Sequence, residues 1–202
     1  MIEFRNPHHI EPPGVLRQIL SHPANDTEVI ELAVFQEHRY AFFYWNKWMQ
    51  DNKSKIPPCL VSLDWHQDLC HPCETEREWL DKLDLTSDAE VALFSWAKLA
   101  GNNDGHILCA AYLNLIGDIY VHCRQEMGPN TWQDEELIDT YGNKHTIKKF
   151  KTYEGLQDAL LKASKSSVFF DIDLDFFSVN NGLSDGSFEF TYLQEEEIRT
   201  ML

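Results

Sequence analysis

No stretch of this 202-residue sequence approaches the roughly 18 consecutive apolar residues that a membrane span requires. The opening Met1-Ile2-Glu3-Phe4-Arg5 segment has no basic start leading into an apolar run and a small-residue cleavage site, so it does not read as a secretory signal. The expectation from these absences is a soluble, cytoplasmic protein that does not engage membranes. Repeats, low-complexity tracts and Gly/Ser linkers are also missing, and Pro12-Pro13-Gly14 and Pro57-Pro58 read as local punctuation. One domain over residues 1–202 is therefore expected. Basic side chains are scarce, 17 against 33 acidic ones, for a formal charge of -16. Such a surface repels phosphate backbones, which argues against nucleic acid, and attracts cationic small molecules or peptides. The five cysteines, Cys59, Cys70, Cys73, Cys109 and Cys123, form no regular framework, and a chain of this size needs no staples. Reduced thiols follow.

What the sequence does have is a pair of short apolar runs, each ending in carboxylates. Cys59-Leu60-Val61-Ser62-Leu63 and Ser167-Val168-Phe169-Phe170 have the length of fully buried strands. Val29 to Phe35 reads as a third strand, while Tyr40 to Asp51, Glu74 to Leu83 and Leu156 to Ser164 have helical composition and spacing. Strands alternating with helices predict a three-layer α-β-α architecture around a mainly parallel sheet, with ligands gathered beyond the carboxyl ends of the strands.

The first run leads into Asp64-Trp65-His66-Gln67-Asp68, and an extended backbone would turn Asp64, His66 and Asp68 to one side. The second leads into Asp171-Ile172-Asp173-Leu174-Asp175, where the same alternation would align three carboxylates and send Ile172 and Leu174 into the packing. Carboxylates so dense at buried strand ends repel one another and lose hydration, and a cation resolves both costs. Oxygen and imidazole donors without a thiolate suit Mn²⁺ or Fe²⁺, with Zn²⁺ also admitted. A pair of such ions would return about four units to the charge balance.

These motifs resemble those of the ureohydrolase (arginase-like) and deacetylase superfamily, whose hallmarks are a D-x-H-x-D and a later S-x-D-x-D segment. The run from Asp171 to Phe177 is closest to the D-I-D-L-D-F-F form of the small peptide arginases, which convert arginine side chains of a ribosomally made precursor peptide to ornithine and urea. The resemblance implies a reduced arginase/deacetylase-like fold and two metals, most simply two Mn²⁺. One ion would take His38, Asp64, Asp68 and Asp171, and the other Asp64, His66, Asp171 and Asp173. The partner implied is an arginine-containing precursor peptide, and a homo-oligomer is compatible with all of this. His38 lies in Gln36-Glu37-His38-Arg39, which lacks the family's Gly-Gly-Asp-His glycines; its ordinary alternative is a buried structural histidine. His106, after Gly101-Asn102-Asn103-Asp104-Gly105, is the candidate proton carrier with Asp68, although a polar turn before a helix explains the same residues and His71 and His122 compete. The acid that would hold a guanidinium has no clear counterpart: Glu195, Glu196 and Glu197 form the late cluster, and such a run is commonly a solvated first helical turn. Cys70-His71-Pro72-Cys73 has a C-x-x-C spacing without a second half. The aromatic stretch from Tyr40 to Trp48 reads as core packing before it reads as a peptide groove. Two alternatives remain open: a zinc-dependent amide deacetylase of the same superfold, and a non-catalytic relative holding a structural cation.

Overall fold

The computed structural model describes residues 10–52, 55–99, 101, 103–125, 128–163, 167–178 and 192–201. The first nine residues, Asn102, Ser164 at the end of the anticipated helix, and Lys165-Ser166 after it lie outside them. Backbone contacts divide the chain into two compact units, Met1–Lys55 with Leu69–Ala110, and Ile56–Asp68 with Ala111–Leu202.

The first unit opens with an antiparallel ribbon of β1 (Leu16–His22) and β2 (Asn25–Val34). The strand anticipated at Val29 to Phe35 is therefore real but belongs to a two-stranded sheet of its own, separate from the parallel one. Apolar Val29, Ile30, Leu32 and Val34 promise burial by composition, yet all are exposed, because a ribbon this narrow has no third layer to cover either face. A 3-10 turn at His38–Tyr40 then leads into α1 (Ala41–Asp51), followed in the same unit by α2 (Glu74–Leu80) and α3 (Asp88–Ala97). The first turns of α1 are buried all round, with Phe42, Phe43 and Tyr44 fully enclosed, and Phe42 meets Phe94 of α3 at 5.3 Å between ring centroids. The aromatic stretch is core, as its composition suggests. Ser87 caps α3 by accepting from the Glu90 amide at 3.3 Å. A further helix, α4 (His106–Tyr112), begins in this unit.

The second unit is built on a five-stranded sheet in the order β5-β6-β4-β3-β7. Its strands are β3 (Cys59–Asp64), β4 (Ile119–Cys123), β5 (Glu135–Ile138), β6 (Lys144–Phe150) and β7 (Val168–Ile172). β3 pairs in parallel with β4 and β7, β4 pairs in parallel with β6, and only the β5–β6 hairpin is antiparallel. The α/β class and the mainly parallel sheet thus stand. β4, whose five residues Ile119-Tyr120-Val121-His122-Cys123 are all buried, is the central strand that composition did not single out. β7 departs from its anticipated full burial: it lies at the edge of the described sheet, with Val168 and Phe170 more than half exposed.

On one face α5 (Tyr153–Lys162) covers Val61, Leu63 and Tyr120 together with Phe176, Phe177 and its own Leu156. Each aliphatic or aromatic side chain so buried contributes roughly 1.5–3 kcal/mol. Thr152 caps α5 by accepting from the Gly155 amide at 3.2 Å. The short α6 (Glu195–Met201) closes the described chain. Strand order places β4 on one side of β3 and β7 on the other, so the chain's connections diverge at the carboxyl ends of β3 and β7. That divergence is where open α/β sheets form a ligand crevice.

Two features of this unit have measurable consequences. A Cβ at Gly117 would stand 2.9 Å from the Pro57 carbonyl oxygen, where the turn into β4 crosses the start of β3. Gly117→Ala is expected to lower stability by about 1–3 kcal/mol, as overpacking does, read as a lower midpoint in urea without change of slope. At the β5–β6 turn, burial opposes ionisation of Asp139, but four donors outweigh it. They are the amides of Tyr141 (2.9 Å) and Asn143 (2.7 Å), Asn143 Nδ2 (2.8 Å) and His145 Nε2 (3.2 Å). The folded-state pKa of Asp139 is therefore held below the ordinary 3.8. Its contribution is complete above that ordinary value and is lost as pH falls through the lowered one. Asp139→Asn is expected to flatten the stability–pH curve in this acid range and to cost about 1–3 kcal/mol near neutrality, measurable by denaturation at a series of pH values.

Candidate metal centre

Asp64 is the last residue of β3, and Asp171 stands opposite Ser62 in the parallel register with β7. Paired residues in a parallel ladder share a face, as do residues two apart on one strand. Ser62, Asp64 and Asp171 therefore point to the same side of the sheet. The Ser62 hydroxyl reaches Asp171 Oδ2 at 3.5 Å, and Asp64 and Asp171 are 1% and 7% exposed.

Beyond these strands the backbone does not continue extended, which corrects the alternation argument. Trp65 and His66 form a bend in which the His66 amide donates to Asp64 Oδ1 at 2.8 Å, and Asp68 takes a φ of 50°. That left-handed conformation is tolerated by aspartate better than by most residues. After Ile172 the Asp173 carboxylate accepts from the Asp175 amide at 3.2 Å and starts a 3-10 turn over Leu174–Phe177. Leu174 is consequently 64% exposed and not in the packing, while Ile172 does pack on the core.

The turn carries Asp175 back to the first motif. One of its carboxylate oxygens accepts from the Trp65 amide at 3.1 Å, and Oδ2 lies 3.3 Å from His66 Nδ1. Asp64, His66 and Asp175 each offer a ligand atom within 4.8 Å of the other two, and Asp64 and Asp68 likewise present oxygens within 4.8 Å of each other. Asp175 is the residue that motif spacing alone did not promote to a ligand; its signal was the third acid of Asp171-x-Asp173-x-Asp175. The Asp175 hydrogen bond raises the pKa of His66 against the opposing effect of burial, with further help from the charges of Asp175, Asp68 and Asp173. Hard carboxylate oxygens and an imidazole at this spacing fit a divalent cation. The donor set could hold a metal ion.

In the first unit, His38 and His106 are adjacent. Their ring centroids are 4.3 Å apart, and His106 also stacks on Trp45 at 5.5 Å. Asn103 brings them together: its side chain accepts from the Arg39 amide at 3.3 Å and donates to Glu37 at 3.2 Å, tying the loop before α4 to the His38 turn. His106 is 1% exposed, and neither ring nitrogen makes a well-formed hydrogen bond. Burial above all, and then His38, hold its pKa well below the ordinary value against a small opposing effect of the Asn103 backbone. His106 is thus a neutral imidazole at the start of a helix.

The other candidates fall elsewhere. His122 is in register with Leu63, so it points to the α5 face, opposite Asp64. Its Nδ1 lies 3.0 Å from the Phe150 carbonyl and its ring meets Phe176 edge-on at 5.4 Å. Burial lowers its pKa, and it is a packed histidine. His71 is exposed. Glu195, Glu196 and Glu197 open α6 in exposed positions, with Glu195 paired to Arg199 at 2.7 Å and Glu197 bonded to the Gln194 amide at 2.7 Å. Cys70 and Cys73 are exposed free thiols, and Cys73 with Glu76 caps α2. No family model matches this chain, and no curated protein matches it.

A metal at Asp64, His66 and Asp175 must displace the proton that Asp175 helps His66 to hold. Mn²⁺ affinity is therefore expected to fall as the pH is lowered from about 8 to about 6, and the fall is expected to be shallower in His66→Asn. Calorimetric titration across that range checks both. An affinity indifferent to pH would remove His66 from the ligand set.

Proposed function

We propose that this protein is a reduced arginase/deacetylase-like hydrolase that cleaves the guanidinium of arginine residues in a peptide, yielding ornithine and urea. The observation that carries the reading is the pair of buried carboxylates, Asp64 and Asp171, on neighbouring parallel strands, with His66 and Asp175 folded back beside Asp64. The D-x-H-x-D and D-x-D segments stand at those same strand ends, which supports the resemblance that names the chemistry.

In this reading Asp64, His66, Asp68, Asp171 and Asp173 would hold two divalent cations, Mn²⁺ in the simplest form. Bound there, such ions supply Lewis acidity and lower the pKa of water. The chain's own residues do the rest. Asp68 would accept a proton from water as it adds to the guanidinium carbon and would return that proton to the departing amine. The amine must leave protonated, because an unprotonated amide anion is far too basic to depart. A chain of charge -16 draws a cationic side chain towards these carboxylates, and draws an acetylated lysine much less.

One observation favours a second reading. Asp64, His66 and Asp175 form an Asp-His-Asp set sufficient for a single ion, the arrangement suited to a zinc-dependent amide deacetylase. Urea release from arginine-containing peptides and from free arginine, measured with Mn²⁺-loaded protein, separates the readings. Urea from the peptides is expected, reduced at least about 100-fold in Asp171→Ala and in metal-stripped protein. Urea from free arginine alone would make the enzyme an ordinary arginase. No urea, with one bound Zn²⁺ and release of acetate from acetyl-lysine peptides, would establish the deacetylase.

A further inference from the structure

Arg124 follows directly on β4, and its surroundings connect both acidic segments. Its amide donates to the Asp64 carbonyl at 3.2 Å, and the next amide, of Gln125, donates to the Trp65 carbonyl at 2.8 Å. Its guanidinium turns towards the second acidic segment: Nη1 donates to the carbonyls of Phe176 at 2.5 Å and Ser178 at 2.8 Å. The same guanidinium lies over the Trp65 ring at 5.1 Å and the Phe176 ring at 5.8 Å. Trp65 separates Asp64 from His66, and Phe176 follows Asp175 directly. A half-buried cation therefore touches a residue next to a candidate ligand in each acidic segment.

Among the described residues Arg124 makes no ion pair, although the chain has nearly twice as many acids as bases. Its donors go to carbonyls, and its flat face goes to aromatic rings. Carbonyl bonds from a planar fork fix direction, and a guanidinium stacked on indole contributes about 0.5–2 kcal/mol. The two turns also meet directly, through the Trp65 amide on Asp175 at 3.1 Å and the Asp173 amide on the Leu63 carbonyl at 2.9 Å, and Arg124 adds a tie that reaches both from β4. The bend at Trp65-His66 is held locally by the Asp64 side chain, and the 3-10 turn locally by Asp173.

We propose that Arg124 is a positioning residue for the metal centre, clamping the turn after β3 to the turn after β7 so that Asp64, His66 and Asp175 keep their shared ligand spacing. This rests on the reading of that site as a metal centre. Groups that orient ligands without touching the ion typically govern affinity by about 10–100-fold.

The test is calorimetric titration of the full chain with MnCl₂, alongside far-UV circular dichroism and the melting temperature of metal-free protein. Arg124→Met, which keeps an apolar stem under the rings, is expected to retain its helix and strand content while Mn²⁺ affinity drops by about 10–100-fold. Arg124→Lys, which keeps a charged donor, is expected to recover part of that loss. Trp65→Leu is expected to weaken Mn²⁺ binding too, and adding Arg124→Met to it should cost much less than in the parent, because both changes open one clamp. A purely structural arginine would lower the metal-free melting temperature and leave affinity within about twofold; that result overturns the proposal. Should Arg124→Met fail to fold, parent-like Mn²⁺ affinity in both Arg124→Lys and Trp65→Leu overturns it equally. Parent protein that binds Mn²⁺ but releases no urea defeats the guanidinium-hydrolysis reading and leaves the comparison among variants intact. A parent that binds no Mn²⁺ defeats both.

Discussion

Two carboxylates buried side by side at the ends of parallel strands are an electrostatic conflict, and the carboxyl edge of the sheet is organised around it. The ladder sets Asp171 against Ser62 and Ile172 against Leu63, so Asp64 and Asp171 share a face with one pleat between them. Both have lost nearly all contact with water. Like charges in such surroundings either take up protons or share a cation. The Ser62 hydroxyl and the His66 amide each donate a hydrogen bond to one of them, which adds no compensating charge. A divalent cation answers repulsion and desolvation together, and this is why the site reads as a metal centre before any family is invoked.

The turns that follow the strands extend the same logic. An extended Asp171-x-Asp173-x-Asp175 segment would line up its acids at about 6.6 Å intervals, too far apart to share an ion without help. Folding the segment into a 3-10 turn instead returns Asp175 to His66, and the Asp173 carboxylate caps the turn it starts. The bend after Asp64 brings His66 inward in the same way. Local side-chain-to-backbone hydrogen bonds, which compete with regular structure wherever aspartate is dense, thus convert two linear motifs into a compact donor set.

How much of this could be seen in the residues follows from which signals are local. The apolar runs before Asp64 and Asp171 are short, contiguous and followed by acids, so their strand character and the α/β class were legible. The exposure of Phe170 was not, because lying at an edge depends on the order of strands in space. β4 carries a weaker local signal although Gly117-Asp118 announces a turn, since Ile119-Tyr120-Val121-His122-Cys123 mixes apolar and polar side chains. The ribbon of β1 and β2 had strand composition, but nothing local says with which strand a strand will pair. Asp175 was visible as a third acid, yet its role depends on a backbone that leaves the extended region. Arg124 carried no motif at all: its contacts are carbonyls and ring faces, which leave no pattern in side-chain type.

The sheet's two faces divide the labour on either side of the same strands. Alternation sends Ser62 and Asp64 one way and Val61 and Leu63 the other, and on β4 it sends His122 with the second group. His122 and His66 therefore meet opposite fates. Burial against Phe176 and the Phe150 carbonyl lowers the pKa of His122 and fixes its ring, whereas Asp175 raises that of His66 and leaves it beside the acids. Phe176 is the hinge of this arrangement. Its ring packs in the α5-covered core, its carbonyl accepts from Arg124, and its neighbour Asp175 faces His66. The second acidic segment is thereby anchored in the hydrophobic core by the residue next to a ligand. The Asp-Phe-Phe end of the motif is as much a packing instruction as a chemical one.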